Sequence, residues 1–194
     1  MGQKIQTNAP GVSSDRSFPA HFQVAAADAI AASTTGIHAA IADTGVQQVI
    51  TTGITNPSVP RNITATAGGT ALDIGAIQVT VTGTNYADEV ITEILPAFTV
   101  DTAGTVTGSK AFKTVTSITV PAHDGLGATT AIGFGEKLGL PYLLAHNTVL
   151  ATYLDNVKEA TAPTVTVDAA AIEGNTMDLN SALAGTVVDA YLIV

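Results

Sequence analysis

The chain has 194 residues, enough for one sizeable core or two small ones, and carries 16 acidic against 7 basic residues for a net charge of −9. That balance argues against a phosphate-binding surface, which needs clustered Lys and Arg; the widest basic grouping is Lys110 with Lys113. No cysteine is present, which excludes disulfides, thiolate metal sites and cysteine nucleophiles.

Charged residues make up 12% and aromatics 5%, so the chain has about half the charge of an ordinary domain. Its 30 threonines supply the polar surface instead. Thr is β-branched and fits a pleated surface, so the composition favours sheet. A weakly charged exterior also suits packing against many neighbours, because little charge is desolvated on contact.

Residues 1–22 hold Pro10, Gly11, Ser13, Ser14 and Pro19 without periodicity and read as an extended arm. Met1–Gln6 is polar and leads into no apolar run, so the expectation is synthesis in a cytoplasm without export. Val24–Ala42 is rich in Ala, with Ile30, Ile37 and Ile41 among Ser, Thr and Gly36. A short helix near Val24–Ala32 and an extended segment laid over a neighbour both fit it. The run contains Asp28 and is too short to span a bilayer, so no membrane partner is expected. Residues 1–45 form the predicted arm and 46–194 the predicted β-domain, with a sub-boundary near 141–146.

Val46–Thr52 predicts a first strand, ended by Gly53; Pro57 and Pro60 then interrupt pairing. Asn62–Ala67 is the next, with Gly68-Gly69 as turn or bulge. In Ile77–Gly83, Ile77, Val79 and Val81 alternate with Gln78, Thr80 and Thr82, as in a strand with one buried face. Ala76–Thr82 and Val90–Leu95 form a hairpin across Gly83–Glu89, with Asn85 and Asp88 as turn formers. Phe98–Val100, Thr105–Thr107 and a long strand Ala111–Val120 follow; Phe112, Ile118 and Val120 share one face of the last. Asp124-Gly125 turns into Thr129–Phe134. Beyond Gly139 and Pro141 come Thr148–Leu154, Thr164–Val167, Thr176–Leu179 and Val187–Val194, whose apolar end must be paired or buried. Short strands at this spacing predict an all-β fold, a β-sandwich or Greek-key barrel of Thr-rich strands with an extended N-terminal arm.

No catalytic, cofactor or metal constellation is visible. His21, His38, His123 and His146 are scattered, where zinc needs three or four converging ligands. Asp73, Asp101, Asp124 and Asp155 sit at turns, where Asp bonds its own backbone, and no calcium-loop spacing appears. Gly125–Lys137 lacks the Lys-Ser/Thr ending of a phosphate loop, since Leu138 follows, and reads as a loop entering a strand. No G-x-S-x-G elbow is present. A sugar-cleaving enzyme would need paired carboxylates, for which Asp88-Glu89 in the hairpin loop is the nearest candidate. A carbohydrate-binding module would need exposed aromatics, and Tyr86 alone qualifies.

The phrases Asn56–Thr66, Ile77–Thr82 with Ile91–Leu95, Lys110–Pro121 and Gly133–Pro141 resemble segments of uncharacterised structural proteins of tailed-bacteriophage and prophage virions. The resemblance covers about residues 46–194. It implies a non-enzymatic virion protein without cofactors. A capsid decoration or head-auxiliary protein on the outer shell fits best, with the major capsid protein and copies of itself as partners and no direct nucleic-acid contact. Trimers match the local three-fold sites of such a lattice. A tail, neck or baseplate component is the alternative, and a host-surface carbohydrate-binding module the second alternative.

Overall fold

The computed structural model describes Lys4–Gln6, Ser13–Asp15 and residues 17–194. Strands account for 48% of the chain and helix for 3%, so the fold is all-β and sandwich-like. In chain order the strands are β1 (Lys4–Gln6), β2 (Ser13–Asp15), β3 (Pro19–Val24), β4 (Ser33–Ala42), β5 (Gln48–Ile50), β6 (Arg61–Gly69), β7 (Thr80–Thr84) and β8 (Val90–Ile94). They continue with β9 (Gly104–Phe112), β10 (Thr114–Val120), β11 (Ala128–Gly139), β12 (Val149–Leu154), β13 (Val157–Lys158), β14 (Thr164–Thr166), β15 (Thr176–Asp178) and β16 (Val188–Ile193). Two short 3-10 turns, Ala71–Asp73 and Ile172–Gly174, complete the set.

Beyond the β1–β2 pair, three antiparallel sheets form. The first has the order β5-β10-β7-β8 and the third β13-β12-β16-β3. The second runs β14-β15-β11-β6-β9, with β4 also paired to β11. No helix among the described residues is long and apolar enough to cross a membrane.

The alternating hairpin forms with the register Thr80↔Ile94, Thr82↔Thr92 and Thr84↔Val90, but its first strand begins at Thr80, so Ala76–Val79 of the predicted strand lie outside it. Val79 and Val81 are fully buried, while the threonines face outward. Gly83 belongs to β7 rather than to the loop, because a side chain there would strike the Thr114 backbone of β10. The predicted strand Ala111–Val120 is divided at Lys113. Phe112 and the residues before it pair with β6, whereas Thr114 onward pairs with β7 and β5. The chain thus passes from the second sheet to the first without Gly or Pro, and the alternation on both sides conceals the corner. Phe98–Val100 is a loop, not a strand; Phe98 still enters the core, with its N–H bonded to the Ile77 carbonyl at 3.1 Å.

Within the predicted arm, Pro19–Val24 and Ser33–Ala42 are strands, paired to β16 and β11 respectively. Between them, Ala25–Ala29 makes one turn, with the Asp28 and Ala29 amides on the Ala25 carbonyl. So short an Ala-rich piece cannot nucleate a helix by itself, and flanking ladder pairing takes the backbone instead. For residues 1–16 the arm expectation lies outside the described residues, β1 and β2 apart. The apolar end, Val188–Ile193, is paired on both sides, by β12 and β3.

Two cores result. The first lies between the first sheet and the near half of the second, around Ile63, Val81, Phe112, Ile118, Ile132 and Phe134. The other gathers Phe22, Leu138, Leu140, Met177, Leu183 and Leu192 beneath the third sheet. β11 is common to both, contributing Ile132 and Phe134 to one and Leu138 to the other.

Candidate functional site

The outward face of the first sheet is assembled by register alone. Its rows read Val49, Thr119, Thr80, Ile94; then Ser117, Thr82, Thr92; then Thr114, Thr84, Val90. None of these ten residues is charged, on a chain of net charge −9. Threonine hydroxyls pair across strands, Thr82 with Thr92 at 3.2 Å and Thr84 with Thr114 at 2.7 Å. Apolar side chains lie at the margins: Val90 is 77% and Ile94 63% exposed. The alternate residue Glu93 points inward and closes the seam to β9, accepting the Ser109 amide at 2.7 Å. Gly108 leaves room for it, since a side chain there would meet the Glu93 carboxylate at 2.6 Å.

A second feature sits where the two cores meet. Arg61 is buried, donating Nε to the Gly135 carbonyl at 2.8 Å and Nη1 to the Ile30 carbonyl at 3.0 Å, with Nη2 also on Gly135. Its guanidinium lies 5.1 Å from the centre of the Phe134 ring. Burial lowers its pKa to about 10 against the opposing pull of Glu136 and Asp178, so it stays charged at neutral pH. Beside it, a groove of about 340 Å³ is lined by Thr34, Thr64, Thr105, Thr107, Glu136 and Asp178, among others. Burial, aided by Glu136, raises the Asp178 pKa while Lys137 and Arg61 oppose it. Glu136 itself is committed to the Ala32 and Leu183 amides at 2.8 and 3.1 Å. The cluster therefore clamps chain segments together.

The histidines go separate ways. His123 is buried; the Gly75 N–H donates to its Nδ1 at 3.2 Å, so Nε2 carries the proton and donates to Thr130 Oγ1 at 2.8 Å. His38 bonds the Ala39 carbonyl from Nδ1 at 2.8 Å, and His146 is exposed. No group of three or more His, Asp or Glu able to hold a metal ion occurs among the described residues. The Asp73 carboxylate does not bond its own turn but accepts the Gly127 amide, 54 residues on, at 2.9 Å, tying the 71–73 turn to the loop before β11. Asp88, Asp101 and Asp155 all have positive φ, as turn Asp tolerates. Gly125–Lys137 is a loop entering the Gly-bearing strand β11.

Of the hairpin carboxylates, Asp88 pairs with Lys113 at 2.7 Å. Glu89 meets an unexpected partner: Asn85 Nδ2 donates to both Glu89 Oε2 at 3.0 Å and Glu173 Oε2 at 3.1 Å. Lys110 stands 3.5 Å from Glu173. Burial alone would raise the Glu173 pKa, but hydrogen bonds from its own backbone and Asn85, with the Lys110 charge, bring it below the usual value. Asn85, bonded to both carboxylates, ties the β7–β8 hairpin to the 172–174 turn.

One group escaped the sequence altogether. His21, Tyr153, Asp189 and Tyr191 lie on one face of the third sheet, brought there by the pairings Tyr191↔His21 and Tyr153↔Asp189. His21 and Asp189 are 168 residues apart yet bonded at 2.6 Å. The signal available was parity alone: Asp189 and Tyr191 are polar positions in an otherwise apolar terminal strand.

Comparison with known protein families, with curated proteins and with solved structures finds no match to this chain.

Proposed function

We propose that the chain is a non-enzymatic structural protein of a phage virion, acting as a decoration or head-auxiliary protein on the outer surface of the capsid shell. The observation that carries this reading is the uncharged outward face of the first sheet. Two bodies of net charge −9 repel at most approaches. This Thr-rich face, edged by Val49, Val90 and Ile94, is a surface on which further copies or a shell subunit can pack without burying unpaired charge. The phrases that resemble virion proteins supply the setting, and the acidic balance suits the outside of a packaged genome better than its inside. A tail, neck or baseplate position is the alternative, since the same face would serve there.

The test is co-sedimentation of the purified chain with mature shells lacking it, beside light scattering of the free chain. Saturable binding to shells is expected, lost in Ile94→Asp while the thermal midpoint is kept. Binding that survives Ile94→Asp removes the proposed face. Location of the chain in the tail of an intact particle map overturns the shell assignment.

A further inference from the structure

We propose that the outward face of the third sheet carries a carbohydrate-binding pocket for a single neutral pyranose ring. The site lies on a different sheet from the uncharged face and does not depend on the assembly role. Its floor is Asp189, only 8% exposed. Oδ1 accepts two hydrogen bonds, from His21 Nε2 at 2.6 Å and Gln23 Nε2 at 2.7 Å. Oδ2 receives no donor among the described residues and is free to accept a hydrogen bond from a guest. Asp189 borders a pocket of about 240 Å³ whose other walls are Tyr153, Asn156 and Tyr191.

The walls are set in advance. Tyr191, 44% exposed, lies flat against His21 with ring centres 4.8 Å apart and planes 9° apart. Tyr153 stands at 90° to Tyr191, with centres 5.8 Å apart. Asn156 belongs to the Asp155-Asn156 turn between β12 and β13, with φ of 48° and 64°, the positive values a tight hairpin turn demands. An aromatic corner fixed by neighbouring rings gives up little freedom on binding.

A ligand suited to this pocket donates a hydrogen bond to Oδ2, offers C–H surface to a tyrosine and fits a space below that of usual drug-sized sites. A pyranose ring does all three. A small cation would also satisfy the carboxylate and the rings. However, Lys158 pairs directly with Tyr153 across the β12–β13 ladder, placing positive charge on the same face and favouring a neutral guest.

The experiment is a titration of the ¹⁵N-labelled full chain with methyl pyranosides of glucose, galactose, mannose and N-acetylglucosamine, and separately with tetramethylammonium. At least one pyranoside is expected to shift amide signals of residues 21–23, 153–156 and 189–191 saturably. Tyr191→Ala and Asp189→Asn should each weaken that binding about tenfold or more, and Tyr86→Ala should leave it unchanged. Should Asp189→Asn disturb the whole spectrum, Tyr153→Ala takes its place. Absence of shifts with every pyranoside, binding that survives Tyr191→Ala, or binding of tetramethylammonium alone overturns the proposal.

Discussion

The two halves of β11 border two cores that are held together differently. Around Ala128–Phe134, β6 and β4 flank the strand, and the core side chains come largely from alternating ladder positions such as Ile63, Val81, Ile118 and Ile132. Beyond Leu138 the core relies on Leu140, Leu144, Leu179 and Leu183, none of which lies in a strand. Loops carrying buried leucines have amides without ladder partners, and side chains supply them. Asn175 accepts the Leu144 and Asp168 amides at 3.2 and 3.0 Å and donates to the Asp168 and Ala171 carbonyls at 2.8 and 3.0 Å. Glu136 takes the Leu183 amide, and Glu159 the Ser181 amide at 3.1 Å. Where a ladder exists the backbone satisfies itself; where it ends, a few polar side chains, the buried Asn175 foremost, bear the same duty.

The most damaging single change should be Gly133→Val in the ladder-held half. A Cβ at Gly133 would land on the Ser33 carbonyl of β4, with the Thr34 carbonyl carbon 2.7 Å away. Backbone cannot yield as a flexible side chain can, so β4 must leave β11 at a cost of about 4 kcal/mol. Denaturant unfolding reads the loss, and a variant as stable as the parent would contradict the close crossing. Asn175→Ala comes next, at about 3 kcal/mol, because it strips two amides and two carbonyls of their partners. Hydrogen exchange should accelerate at Leu144 and Asp168 while Ile132 and Val81 stay protected. Uniform acceleration throughout would mean that the halves do not differ in the way described.

The ladder-held half was the legible one. Alternation at Ile77–Thr82 and Val90–Leu95 specifies strand, face and hairpin together, because period two has one structural meaning when polar and apolar residues alternate cleanly. The uncharged face follows from the same threonines once register is known. The other half was opaque for physical reasons. Leu140, Leu144 and Leu183 have no period, and Asn175 looks like any turn asparagine until its burial is seen. The sheet switch at Lys113 escaped because alternation survives on both sides of the corner. Of the His21–Asp189–Tyr191 face, only the parity of Asp189 and Tyr191 was legible, since the face joins segments far apart in the chain across β3 and β16. Only pairing, which sequence spacing does not encode, brings it together.

A gain in stability would sharpen the contrast. Thr152 is buried in the third sheet, and its Oγ1 has no hydrogen-bond partner among the described residues, as is true of Thr148 nearby. Thr152→Val removes a desolvated hydroxyl and keeps the β-branched shape, so unfolding should shift in favour of the fold by about 1 kcal/mol. A loss of stability in that variant would show that the hydroxyl is satisfied in solution.

The smallest effect expected is a difference in acid sensitivity between the two regions. His123 borders the first core, stacked on Phe98 at 5.9 Å, and burial lowers its pKa below 6.5 despite Asp43 and Asp124 nearby. Above pH 6.5 both folded and unfolded chains carry it neutral. As pH falls below that value the unfolded chain takes the proton first, and stability declines until the lowered folded pKa is reached. Glu173 works in a lower window. Its folded pKa lies below 4.5, so its contribution is complete above that pH and disappears as pH falls through the folded value. Urea midpoints measured at about pH 7.5 and about pH 5.5 should therefore fall in the parent, and fall less in His123→Gln, where neither state titrates at that position. Between about pH 5.5 and pH 3.5 the parent should lose further stability, and Glu173→Gln should lose less. Equal midpoints at the two higher pH values would remove His123 as the buried neutral group that keeps the Gly75 amide and the Thr130 hydroxyl in place.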